Sequence, residues 1–107
     1  MENREIKFRA WNGEQLIYPH DNIESGDILK RFEMVMQFTG LQDKNGKDIY
    51  EGDIINATSS GMEISLAIVD FEMYSFGIPD FYLYQLQDIE VVGNIYENAQ
   101  LTTTTSN

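Results

Sequence analysis

The chain of 107 residues has no cysteine, one histidine and two prolines, and after Lys47 it has no lysine or arginine at all. The absence of cysteine excludes disulfides, thiolate zinc sites and a cysteine nucleophile, and it is compatible with a reducing compartment. With His20 as the only imidazole, a metal site built on several histidines is excluded as well. His20 stands next to Asp21, but Ser25, Ser59, Ser60, Ser65 and Ser75 carry no G-x-S-x-G context, so no Ser-His-Asp constellation is expected. No stretch approaches eighteen apolar residues, and the longest apolar patch, Leu66 to Val69, is strand-sized. No charged-then-apolar leader is recognisable either. Neither a membrane span nor a signal peptide is expected, and the expected location is the cytoplasm.

The charge is lopsided. Net charge is −11, and residues 1–47 hold all seven Lys and Arg against eight acids. Residues 48–107 hold ten acids and no base. A half without cations cannot neutralise phosphates, so nucleic acid is not expected as its partner, and an anionic membrane would repel it. Two readings fit the acidity. The plain one is solubility. The sharper one is an acidic face that meets a basic partner, for instance by mimicking nucleic acid on a nucleic-acid-binding protein.

What is present suffices for a core. Apolar residues make up 42% of the chain, including twelve Phe and Tyr and Trp11, in one domain's worth of length. In "EIKFRAWNGEQLIYP", Ile6, Phe8 and Ala10 alternate with Lys7, Arg9 and Trp11, and Asn12-Gly13 then predicts a hairpin. A two-residue turn would set Phe8 opposite Ile17 and Arg9 opposite Leu16. It would also give the hairpin a weakly basic side through Lys7 and Arg9. Residues 19–27 read as loop. The stretch "ILKRFEMVMQF" fits both a helix and a strand; β-compatible residues favour a strand over 33–39, stopped by Thr39-Gly40. From Asp53 onward short strands follow one another. "DIINAT" is the first. "EISLAIVDFE" comes next, with Ile64, Leu66, Ile68 and Asp70 on one face. "SFGIPD" reads as turn, and "FYLYQL" and "IEVVGNIY" as strands. The final threonines read as a flexible tail over 99–107.

The glycine-rich stretch "FTGLQDKNGKDIYEGDII" invites a ligand and denies the familiar ones. Gly40, Gly46 and Gly52 lie six apart, and Lys47 is followed by Asp48, not by the Ser or Thr and helix of a phosphate loop. Counted from Asp43, an EF-hand would need glycine sixth and glutamate twelfth; here glycine is fourth and Ile54 is twelfth. A calcium site of other geometry on Asp43, Asn45 and Asp48 stays open against the simpler turn reading, in which Asp43 satisfies amides two residues on. The same-face carboxylate pairs Asp70 with Glu72 and Asp88 with Glu90 match any solvated sheet face. No catalytic residue, metal or cofactor is expected.

Tyr74, Phe76, Phe81, Tyr82 and Tyr84 fall within eleven residues. Base-stacking sheets pair such rings with Lys and Arg, which this half lacks. The cluster therefore reads as core together with a protein-interaction or self-association surface, for which Trp11, Tyr74, Phe76, Tyr82 and Tyr84 are the candidates.

Three blocks, "KFRAWNGEQLIYP", "MQFTGLQDKNGKDIYEGDII" and "VVGNIYEN", resemble the YopX family of phage and prophage proteins in the family's order, over residues 4–98. Residues 19–33 and the threonine tail fit that pattern poorly. The resemblance implies a phage or prophage origin, typically in Gram-positive bacteria. It also implies a mainly β fold in which an N-terminal β-rich segment, residues 1–50, packs on an SH3-like small β-barrel, residues 51–98. Gly40, Asp43, Gly46, Tyr50, Glu51, Gly52 and Asp53 then form the family's turn and barrel entry, with a structural role. The resemblance brings no activity and no catalytic residues. The expected function is non-enzymatic protein–protein interaction with an unknown host or phage protein, and homo-oligomers remain open. The alternatives are the acidic mimic and nucleic-acid binding through Arg4, Lys7, Arg9 and Trp11.

Overall fold

The alternating run after Lys7 forms strand β1 (Phe8–Trp11), which turns into β2 (Leu16–Ile17). The structure, a computed structural model, describes residues 6–18, 33–72 and 75–101. The hairpin pairs Ala10 with Ile17 and Trp11 with Leu16, two residues out of the expected register. The cause is Asn12. Its Oδ1 accepts hydrogen bonds from the Glu14 and Gln15 amides at 2.8 and 2.9 Å, and its own amide donates to the Gln15 carbonyl at 3.2 Å. Asn12 thus caps a four-residue loop in which Gly13 takes the positive φ (103°), and no two-residue turn forms.

Strand β3 (Met34–Gln42) lies on the other side of β1, with Phe8 opposite Gln37 and Trp11 opposite Met34. The strand reading of 33–39 holds. Its expected end at Thr39-Gly40 does not: the strand continues through Gly40, which at φ 92° sits in a shift of register between Phe38 and Gln42. Strand β4 (Asp48–Tyr50) closes a four-stranded sheet in the order β2-β1-β3-β4.

The chain then enters a second sheet through β5 (Asp53–Ser59), which lies between β6 (Met62–Ile68) and β10 (Gln87–Asn94). After Val69 it proceeds into β7 (Asp70–Glu72), β8 (Ser75–Ile78) and β9 (Phe81–Tyr82), a third sheet in the order β7-β8-β9. Val69 stitches the two: its amide donates to the Asp53 carbonyl and its carbonyl accepts from the Gly52 amide, both at 2.9 Å. The result is a mainly β protein whose second half curls as a half-barrel. Among the described residues there is no α-helix.

Four expectations change here. In β6 the alternation breaks at Leu66, which adopts φ 53° while its amide donates to Asn56 Oδ1 at 2.8 Å. Beyond that kink Ala67 and Val69 turn inward, while Leu66 and Ile68 are exposed; Ile64 alone of the expected row packs on the core. Residues 75–78 form a strand, and the turn is confined to Pro79 and Asp80. "FYLYQL" is a strand only over Phe81–Tyr82, because the Gln85 side chain takes the Tyr82 amide at 2.7 Å and winds Leu83–Gln85 into a 3-10 turn. The supposed tail begins with a second 3-10 turn, Ala99–Leu101. The loop over 19–27 and the last six residues lie outside the described residues.

The core gathers Ile49, Ile55, Ala57, Val69, Phe76, Ile78, Leu83 and Leu86, with Phe81, Ile89 and Val91 against it. Ile49 from the first sheet sits in this cluster, so the two halves share apolar contacts. Burying each such large side chain contributes about 1.5–3 kcal/mol of transfer free energy, which is what holds the short strands together.

Candidate functional site

The Glu51-Gly52-Asp53 turn is where the two halves of the chain are joined, and its chemistry starts with Arg9. From the centre of β1 the Arg9 guanidinium reaches across to this turn. Nη2 donates to Asp53 Oδ1 at 2.9 Å and to the Glu51 carbonyl at 3.1 Å, and Nη1 donates to the Tyr18 hydroxyl at 3.2 Å. The guanidinium lies 4.7 Å from the centre of the Tyr50 ring. Both side chains of the pair are almost wholly buried, at 2% and 1% exposure. Asp53 Oδ2 meanwhile accepts the Tyr50 amide at 2.8 Å. Burial pushes the Asp53 carboxyl above its ordinary range, against the pull of Arg9 and the Tyr50 amide. Burial also pushes the Tyr50 phenol up to about 12. Arg9 Nε, also buried, finds no acceptor among the described residues. Gly52 turns the chain at φ 86°, and a Cβ there would meet Met36 Sδ at 3.1 Å.

This arrangement removes the basic face expected of the hairpin. Arg9 is sealed in the interior. Lys7 is engaged by Asp48 at 2.8 Å and lies 4.6 Å over the Phe38 ring. Sequence alternation placed both on a solvent side, but β1 is flanked by β2 and β3 and covered on the Arg9 side by the turn. Arg4 lies outside the described residues.

The loop at Asp43 is likewise structural. Asp43 Oδ1 accepts the amides of Asn45 and Lys47 at 2.8 and 2.9 Å, and Oδ2 accepts the Val91 amide on β10 at 2.9 Å. Burial acts to raise its pKa, but the three amides outweigh it and hold the carboxyl below the usual range. The Lys44 backbone amide adds a hydrogen bond to the Ile89 carbonyl at 2.8 Å. Asp48 is spent on Lys7 and on Gln42 Nε2, and its pKa too is held low by these partners against burial. The carboxylates of Asp43 and Asp48 therefore serve different partners and do not converge on one centre. Gly46 takes φ 83° at the tip of the turn with open space around it.

The aromatic candidates disperse. Trp11 stacks on Tyr96 with ring centres 5.4 Å apart, and Tyr82 stacks on Tyr84 at 5.6 Å, with Tyr84 75% exposed. Phe76 is a core residue in edge contact with Phe71 and takes no part in a surface. Tyr74 lies outside the described residues. Tyr96 was not singled out by sequence, since nothing in "GNIYEN" marks it as the partner of a tryptophan 85 positions away.

Beside the Trp11–Tyr96 pair is a cleft of about 220 Å³. Its walls are Val35 of β3, Ile68 at the end of β6, and Ile95 and Tyr96 of the turn after β10; the acidic residues Glu51 and Asp70 line it as well. It opens where the first sheet meets the half-barrel.

Fold and site together define a small β protein whose buried ion pair and Asp-capped loop join two sheets. The chain belongs to the YopX family, whose model, the YopX protein family, matches residues 17–102. Among curated proteins no relative matches.

Proposed function

We propose that this protein is a non-enzymatic binding module that works inside the bacterial cell by docking its acidic C-terminal half on a basic protein surface. One observation carries the reading: residues 48–107 contain ten acids and no Lys or Arg. The fold deepens that asymmetry. Glu63, Asp70, Asp80 and Asp88 are exposed on the half-barrel side, while Lys7 and Arg9 are matched internally and Lys44 lies 3.8 Å from Glu90. Membership of the family supports the phage or prophage setting and assigns no chemistry of its own.

The test is capture by the tagged full chain from bacterial lysate at about 0.05 M and about 0.5 M salt, beside an unrelated protein of equal net charge. Exposed charges more than a few ångströms apart are screened at the higher salt. A partner retained by this chain alone at low salt and released at high salt is the expected result. Recovery that is equal for the control, or indifferent to salt, would sink the reading.

A further inference from the structure

We infer that the cleft between β3, the β6–β7 junction and the turn after β10 receives one lysine or arginine side chain of that basic protein partner. The inference rests on the binding reading above and gives it an anchoring point.

Size comes first. At about 220 Å³ the cleft is smaller than the roughly 300–1,000 Å³ of sites that enclose a whole small molecule. It suits a single long side chain entering from outside. Chemistry comes second. Val35, Ile68 and Ile95 offer apolar wall for an aliphatic stem, and Glu51 and Asp70 offer carboxylates for its charged end. Lysine and arginine are built in that way, with an apolar stem and a charged head. None of the described residues that line the cleft is a cation.

Preorganisation comes third. Glu51 is held by its Oε1, which accepts the Gln37 amide at 2.7 Å. Asp70 accepts the Phe71 amide at 2.8 Å. Tyr96 is braced by the Trp11 ring, stacked at an angle of 17°. A cation near an aromatic ring gains further attraction, and arginine in addition can stack on it. Fixed walls reduce the ordering cost that association otherwise carries. Ile68, one of these walls, is itself exposed and within reach of an incoming partner.

The inference is tested on the full chain with a defined probe, an unstructured peptide of alternating arginine and glycine, and with its citrulline counterpart, which keeps shape and loses charge. Binding is followed by amide chemical shifts and by calorimetry at low salt. Asp70→Asn removes a charge at the cleft, and Glu63→Gln removes one on the exposed face of β6. The expected result is binding of the arginine peptide and not of the citrulline peptide, with shifts centred on Ile68, Asp70, Ile95 and Tyr96. Asp70→Asn should weaken it about fivefold and Glu63→Gln less than twofold, the range of single partly solvated charge contacts. Equal weakening by the two variants, or shifts centred elsewhere, would overturn the cleft while leaving the acidic-face reading standing. No binding of either peptide at low salt would overturn both.

Discussion

Arg9 and Asp53, forty-four residues apart, form an ion pair of 2.9 Å in the interior, each side chain nearly without solvent contact. Removing one member of such a pair leaves the other charged and unmatched, which costs about 3–5 kcal/mol. Arg9→Met or Asp53→Asn should therefore lower unfolding free energy by about that amount in urea titration. The double variant Arg9→Met, Asp53→Leu should recover a large part of the loss, because no buried charge remains. A double variant as unstable as either single one would show that the pair is not the source of the effect.

Two glycines separate space from backbone conformation. At Gly77 a Cβ would overlap the carbonyl oxygen of Phe81, a backbone atom with little freedom to yield. At Gly46 φ is 83°, but nothing lies near the new atom. Gly77→Ala should cost at least about 2 kcal/mol through overpacking, and Gly46→Ala about 1 kcal/mol through backbone strain alone. Thermal melts that reversed this order would contradict the close approach of β8 and β9.

Leu66 holds a left-handed conformation that leucine ordinarily avoids, and the residue is 40% exposed. Relieving the backbone strain gains about 1–2 kcal/mol, and the larger freedom of glycine in the unfolded chain costs about 0.4–1 kcal/mol. Leu66→Gly should thus be neutral or raise the melting temperature slightly. A drop of more than about 1 kcal/mol in chemical unfolding would mean that the exposed leucine makes packing contacts that the kink itself does not require.

The pH dependence divides by sign. Asp43 and Asp48 have folded pKa values below the ordinary 3.8, so their stabilisation is present above that value and is lost as pH falls through the lower folded values. Asp53 has a raised pKa, so its protonation does not add to acid unfolding. Asp43→Asn should therefore flatten the fall in stability below about pH 4, and Asp53→Asn should not. The comparison is made by melting each variant between about pH 2.5 and about pH 7. An unchanged acid slope in Asp43→Asn would contradict the role of the three hydrogen bonds that its carboxylate accepts from backbone amides.

Much of the fold was legible because it is local. Asn12-Gly13 and Asn45-Gly46 marked reversals, and the apolar run after Asp53 marked a strand, in which Ile54 and Ile55 are both fully buried; that it lies between β6 and β10 came from the structure. Asp43 could be assigned to turn amides from its spacing, and Asn45 and Lys47 confirm it. Its third bond, to Val91, was not legible, since that amide arrives from 48 positions away. Leu66 and Arg9 misled for related reasons. Alternation assumes an unbroken strand with one wet face; Leu66 breaks the strand by a kink, and Arg9 sits where the second face is covered by a distant turn.

Composition, charge placement and turn residues alone determined that this is a mainly β, strongly acidic chain without cysteine chemistry, and its motifs determined the family. These properties depend on residue types and on neighbours a few positions apart, where steric preference and hydrogen bonding act without knowledge of the whole. Tertiary structure decided which charges are available and which are sealed, that Trp11 rests on Tyr96, and that a cleft opens between β3 and the turn after β10. Burial and contact are properties of segments brought together from far along the chain, and no local pattern encodes which distant surface will arrive.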